Sequence, residues 1–142
     1  MTDLVRATPD VLRLVPLFRG LTDRSIAAIT ELVEPARYEI GAKLTRQGDP
    51  GDTFIILLEG EAVVERDGTE LRRLGAGDFL GEIALFAQRA RTATVTAVTP
   101  ISALSLGREA FGRLVEEVPS VRLDIVTVLA ERVRSLAPET ID

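Results

Sequence analysis

Two changes of hydrophobic period divide the chain into three parts. From about residue 9 to 33, apolar positions recur at helical steps. Pro9 after Thr8 marks one helix start, and Thr22-Asp23 ahead of Ile26, Ile29, Leu32 and Val33 marks another, those four side chains sharing a face. Between them Val15-Pro16-Leu17-Phe18-Arg19-Gly20-Leu21 is an apolar elbow broken by proline and glycine, expected to pack on the core. From about Glu34 glycines at 41, 48, 51, 60, 68, 75, 77 and 81 divide short β-branched runs, the punctuation of a sheet. Residues 53–58 are too continuously apolar for a one-sided strand and predict burial on both faces. Residues 61–66 are expected as the hairpin partner across Glu59-Gly60, with Asp67-Gly68 a tight turn into 70–74, so that the strands form an antiparallel meander. Residues 93–98 and 101–106 add two strands separated at Thr99-Pro100. Many short strands with regular turns favour a barrel or sandwich, and a jelly-roll barrel has room for one small ligand.

The last third returns to helix. Residues 108–115 form one amphipathic piece, Val118-Pro119 interrupts it, and 120–136 form a longer one, Pro119 standing where a helix restarts. In the longer helix Val121, Ile125, Val128, Leu129, Arg132 and Leu136 recur at three- and four-residue steps, while Leu123, Val126 and Val133 widen the apolar surface beyond one stripe. Two readings of that width stand: packing against both barrel and N-terminal helices, or a mobile lid or homodimer contact.

Composition narrows the chemistry. The 142 residues, 46% hydrophobic and 27% charged, suit one domain with a sizeable core. A net charge of −5 lacks the broad electropositive footprint of a nucleic-acid binder, so direct nucleic-acid contact is not expected. Without cysteine there is neither disulfide nor thiol catalysis, in agreement with a reducing cytoplasm. Without histidine, a metal-dependent β-barrel enzyme loses its usual ligands, and no metal or cofactor is expected. No targeting segment and no apolar run of ~20 residues is present, so membrane insertion is not expected.

The stretch GEIALFAQRARTATV, 81–95, concentrates the candidate chemistry. Gly81 and Glu82 open a short apolar turn, and the N–H groups at a helix start make an anion site. Ten residues on, Arg91 offers a planar fork suited to phosphate oxygens and leads into the β-prone alternation Thr92-Ala93-Thr94-Val95-Thr96. Glu82 would repel a bound anion unless aimed at a hydroxyl, for which a ribose is the natural partner.

This stretch resembles the phosphate-binding cassette of cyclic nucleotide-binding domains, which runs G-E-aliphatic-A-aliphatic, a short loop, then R-[ATS]-A-[TS]-V. The segment 15–21 is similar to the V-P-L-F-x-G-L that leads into many of them, and 47–52 resembles the family's glycine-rich loop, here expected as a tight turn without ligand contact. Ala90 stands where the family often has proline, and Arg89 is an extra loop arginine; neither removes a contacting group. The resemblance implies an α+β fold: an antiparallel β jelly-roll barrel of about eight strands with N-terminal helices, a short phosphate-cassette helix and two C-terminal helices. It implies one domain over 1–142, divided into an N-terminal helical segment 1–33, a barrel 34–107 with cassette 79–95, and C-terminal helices 108–137. By the resemblance, Arg91 pairs with the cyclic phosphate, Glu82 accepts from the ribose 2′-OH, backbone amides at Gly81, Ile83 and Ala84 complete the cradle, and Thr92 adds a hydroxyl to phosphate or base. A threonine beside the arginine is linked with cGMP in some relatives, whereas many bacterial domains with Ser or Thr there accept cAMP; cAMP is favoured here. The family's C-terminal helices pivot on binding and can cover the base, with Leu136, Arg132 or Arg134 as candidate lids.

Function is therefore expected to be that of a stand-alone cyclic nucleotide sensor. It is expected to be cytoplasmic, and to relay occupancy through its C-terminal helices to a separate protein effector. The alternatives are a ligand-free interaction scaffold, or a regulatory domain cut from a larger channel, transporter or kinase. A transcription regulator would need a helix-turn-helix after 137, for which the chain leaves no room. An enzyme is least expected, because no nucleophile stands beside a base.

Overall fold

A computed structural model describes residues 6–81 and 91–136, with only the backbone described at 128–129 and 131–136. The N-terminal helices start where side-chain oxygens can replace missing intrahelical acceptors. Thr8 Oγ1 accepts from the Val11 N–H at 3.3 Å to open α1, Pro9–Arg13, and Thr22 Oγ1 accepts from the Ser25 N–H at 3.1 Å to open α2, Asp23–Leu32. A 3₁₀ turn, Pro16–Phe18, joins them and buries Leu17 and Phe18. Arg13 and Asp23 form an ion pair across the elbow.

Eight strands follow: β1 Glu34–Tyr38, β2 Lys43–Thr45, β3 Thr53–Glu59, β4 Ala62–Arg66, β5 Thr69–Leu74, β6 Phe79–Leu80, β7 Thr94–Ala97 and β8 Ile101–Gly107. They form two antiparallel four-stranded sheets, in the orders β1-β8-β3-β6 and β2-β7-β4-β5. Helices α3, Arg108–Glu117, and α4, Pro119–Leu136, complete the described residues. The expected jelly-roll with flanking helices is the fold; the expected short helix after Gly81 lies outside the described residues.

The meander is corrected. β3 and β4 are not partners: β3 pairs with β6 and β8, and β4 with β5 and β7. The reason is at Gly60, which turns at φ 100° with its backbone so close to Pro100 that a Cβ would stand 2.3 Å from the Pro100 carbonyl oxygen. That turn carries the chain from one sheet to the other rather than folding it back on itself. Asp67, at φ 53°, and Gly68 do make the expected tight turn between β4 and β5.

The continuous apolar run in β3 is explained by two cores. Phe54 and Ile56 face the helices and pack with Phe18, Ile26, Ile29, Leu114 and Ile125, while Ile55 and Leu57 face inward against Ala62, Val64, Leu74, Val95 and Ala97 of the other sheet. The Phe54 ring lies between Phe79, at 5.4 Å, and Phe111, at 4.8 Å between centroids, tying α3 to the sheet. On α4, Val121 and Ile125 are buried, but Leu123 and Val126 are 67% and 43% exposed, so packing among the described residues leaves that part of the widened apolar face largely uncovered.

Candidate functional site

β6 is only two residues long, and its pairing of Leu80 with Ile55 delivers Gly81 to the start of β3. Gly81 sits at φ 98°, and a Cβ there would stand 2.3 Å from the Thr53 carbonyl oxygen and 2.7 Å from Arg91 Nη1. Only glycine permits that approach. The first and eleventh residues of the 81–95 stretch are thus brought side by side at one end of β3.

Arg91, 8% exposed, is held on three sides. Its N–H donates to the Asp49 carbonyl at 2.8 Å, its carbonyl accepts from the Gly48 N–H at 2.9 Å, and its Nη2 donates to the Thr53 carbonyl at 2.7 Å. The loop at 47–52, which the sequence identifies only as a tight turn, together with Thr53 at the start of β3, is therefore the frame that orients this arginine. Nothing in the residue pattern of that loop pairs it with position 91, which is about forty residues away.

Immediately after it, Thr92 is half-buried and Ala93 enters the inter-sheet core. Thr45 Oγ1 donates to the Ala93 carbonyl at 3.0 Å, fixing β2 against the entrance of β7. Glu82, Ile83 and Ala84 lie outside the described residues.

Beside Arg91 opens a cavity of about 240 Å³, lined by Tyr38, Lys43, Arg46, Asp49, Asp52 and Arg91 among others. Among the described residues that line it, three cations stand against two carboxylates, a balance suited to an anionic guest. Burial pushes the Tyr38 phenol above its ordinary value, and the positive charge of Arg91 opposes that shift. The phenol is therefore a neutral hydroxyl near pH 7.

From the same frame, a second arginine reaches the helices. Arg108, the first residue of α3, donates from Nη2 to the Gly51 carbonyl at 2.6 Å. The loop that holds Arg91 is thereby bonded to the start of the C-terminal helical pair. Among the described residues, no group of three or more Asp, Glu, His or Cys side chains is placed to hold a metal ion. No helix among them is long and apolar enough to cross a membrane.

Comparison with known proteins identifies the arrangement. The family model described as cyclic nucleotide-binding domain matches residues 35–118, more than half of the chain. A cAMP-dependent protein kinase regulatory subunit of Colletotrichum orbiculare is 38% identical over 118 residues, covering 82% of this chain and 30% of that protein. A cGMP-dependent protein kinase of Caenorhabditis briggsae is 34% identical over 132 residues, covering 88% of this chain and 17% of that protein. Among solved structures, the regulatory domain of Toxoplasma gondii PKA, co-crystallised with cAMP, superposes with a TM-score of 0.76 at 27% identity, covering 89% of this chain and 50% of that one. The chain thus spans half or less of the length of each of these three.

Proposed function

The chain belongs to the cyclic nucleotide-binding domain family, and we propose on that premise that it is a non-catalytic cAMP-sensing module. In this reading Arg91 pairs with the cyclic phosphate, Glu82 accepts from the ribose 2′-OH, the amides of Gly81, Ile83 and Ala84 complete the cradle, and Thr92 supplies a hydroxyl. The observation that carries it is the apposition of Gly81 and Arg91. A buried guanidinium, held at one corner by the Thr53 carbonyl, is presented to the residue at which the glycine-led stretch begins. A charge removed from water is stabilised chiefly by an opposite charge and hydrogen bonds, and a phosphate supplies both. The cAMP preference is supported by the Colletotrichum relative and by the co-crystallised Toxoplasma domain; cGMP is the comparison ligand, because of Thr92 and the Caenorhabditis relative.

Occupancy is read out through the C-terminal helices. The Arg108 bond to Gly51 joins α3 to the loop that orients Arg91, so a ligand that shifts Arg91 acts on both. Any such switch requires different ligand affinity in the two states. The listener is a protein effector on the exposed Leu123 and Val126 face of α4, a second copy of the chain being the alternative occupant. Net charge −5 disfavours direct contact with nucleic acid, and the absence of cysteine suits a cytoplasmic setting. Neither a metal nor a cofactor other than the nucleotide enters this reading.

Titration of purified protein with cAMP and cGMP tests it. Wild type binds. Arg91→Ala loses roughly 100-fold or more, since two charge-assisted hydrogen bonds contribute about 1.5 to 3 kcal/mol each, whereas Thr92→Ala loses at most about tenfold. Unchanged affinity in Arg91→Ala would sink the assignment. A first pass by thermal shift is simple: ligand at ~100 times its dissociation constant stabilises by about 2.7 kcal/mol.

A further inference from the structure

Among the described residues that line the cavity beside Arg91, three carry hydroxyls: Tyr38, Thr45 and Thr53. Each hydroxyl has one proton to donate. Thr45 Oγ1 directs its proton to the Ala93 carbonyl at 3.0 Å, and Thr53 Oγ1 donates to Asp52 Oδ1 at 3.0 Å. The Tyr38 hydroxyl makes no hydrogen bond among the described residues, and the side chain is half-buried rather than sealed from the cavity. Its proton is the one left for a guest.

The strands explain how that hydroxyl comes to stand there. Tyr38 ends β1 and pairs with Ile101 of β8. Paired residues on neighbouring strands project to the same side, and Ile101 belongs to the core between the sheets, against which Tyr38 also packs. The ring is thus a wall of the barrel interior, a task that phenylalanine would perform as well. The hydroxyl adds a cost, because a polar group drawn out of water needs a partner. Arg91 acts on the phenol through its charge, but a guanidinium holds only donors and cannot take the proton. Asp49 and Asp52 also line the cavity, and neither is bonded to the hydroxyl.

We infer that the Tyr38 hydroxyl is a further ligand-contacting group, which donates its proton to an exocyclic oxygen of the cyclic phosphate held at Arg91. This rests on the cyclic nucleotide reading of the site. An anionic oxygen there serves both groups at once, as the opposite charge for the guanidinium and as the acceptor for the phenol. An O–H···O⁻ bond is short and strong, and a phenol is a more acidic donor than the two threonine hydroxyls. It adds attraction for the anion without adding charge to a cavity that already holds both signs.

The test is titration of wild type and Tyr38→Phe near pH 7 with cAMP and with its two phosphorothioate diastereomers, in each of which sulfur replaces one exocyclic oxygen. Tyr38→Phe keeps the ring and should bind cAMP about tenfold or more weakly. Sulfur is a weak acceptor, so the diastereomer that places it opposite Tyr38 should lose affinity in wild type and lose severalfold less in Tyr38→Phe. A merely structural role of the ring would not produce that coupling. The wild-type phenol gives a second reading. Ionising it removes the bond and sets a phenolate against the phosphate, so saturating cAMP should raise the phenolate absorbance midpoint by about one unit or more, the equivalent of that tenfold. Arg91, Lys43, Arg46, Asp49 and Asp52 face the same cavity in the free protein, so the change on binding is what is read. Equal affinity of wild type and Tyr38→Phe for cAMP, or a midpoint that cAMP does not raise, overturns the inference and leaves the nucleotide site standing. The midpoint decides the matter if Tyr38→Phe does not fold. Failure of wild type to bind cAMP overturns the cyclic nucleotide reading and this inference with it.

Discussion

Replacing Gly81 by alanine tests the geometry on which the site depends. The residue sits at φ 98°, and an added Cβ would stand 2.3 Å from the Thr53 carbonyl oxygen, 2.7 Å from Arg91 Nη1 and 3.3 Å from Phe54 Cα. Holding an L-residue in that backbone region costs about 1 to 3 kcal/mol. Relieving the overlap requires moving a backbone carbonyl and the guanidinium, about 1 to 3 kcal/mol more. For a chain of this size the sum, about 2 to 6 kcal/mol, lowers the melting midpoint by roughly 7 to 20 °C. Gly60→Ala is the matched control, with φ 100° and a Cβ 2.3 Å from the Pro100 carbonyl oxygen. It lies just beyond the far end of β3, about 20 Å from Thr53 along the strand. Melting curves without ligand should show both variants destabilised to a similar degree. Titration at a temperature where both are folded should show only Gly81→Ala losing nucleotide affinity, by roughly tenfold or more, because Arg91 is displaced from its bond to Thr53. A Gly81→Ala protein that melts like wild type would refute the close approach. Equal loss of affinity in Gly60→Ala would show that general destabilisation, not Arg91, is responsible.

Two further outcomes follow from the same frame. Tyr38 is the single tyrosine in a chain without tryptophan, so phenolate absorbance titrates one residue, and its midpoint is expected above the ordinary value of about 10 because burial outweighs the influence of Arg91. A phenol pKa raised on folding contributes stability that is complete below about pH 10 and is lost as pH rises through the folded value; Tyr38→Phe should remove that loss, and a wild-type midpoint at or below 10 contradicts the burial argument. Arg108→Ala breaks the bond to the Gly51 carbonyl and should cost about 1 to 3 kcal/mol of stability. It should leave nucleotide affinity within severalfold while weakening the nucleotide-induced change in hydrogen exchange of α3, and an undiminished α3 response would exclude this route.

Much of the fold was legible because its signals are local. Thr8 and Thr22 announce helix starts through the oxygens they supply to nearby N–H groups, and the structure uses both. Asp67-Gly68 marks its turn by the backbone angles it tolerates, and the run from Phe54 to Leu57 reports two buried faces by lacking polar alternation. Strand partnership was not legible. The short loop at Gly60 reads as a hairpin, yet β3 finds β8 and β6, because the contact of Gly60 with Pro100 is set by residues forty positions apart. β1, with Pro35 and two charges, and the two-residue β6 carry too little alternation to declare themselves as strands.

By itself, the sequence determined the family, through the spacing of Gly81, Glu82 and Arg91, and the candidate ligand class that goes with it. It also determined the order of helical and β segments, since period and capping are properties of neighbouring residues. Tertiary structure decided what surrounds the arginine. It set Gly81 against Arg91 and made the loop at 47–52, with Thr53, the frame of the site. It bonded that frame to α3 through Arg108. Those relations depend on which strands lie side by side. That choice is made by burying β3 on both faces at once, a constraint on the whole barrel that no stretch of residues states alone.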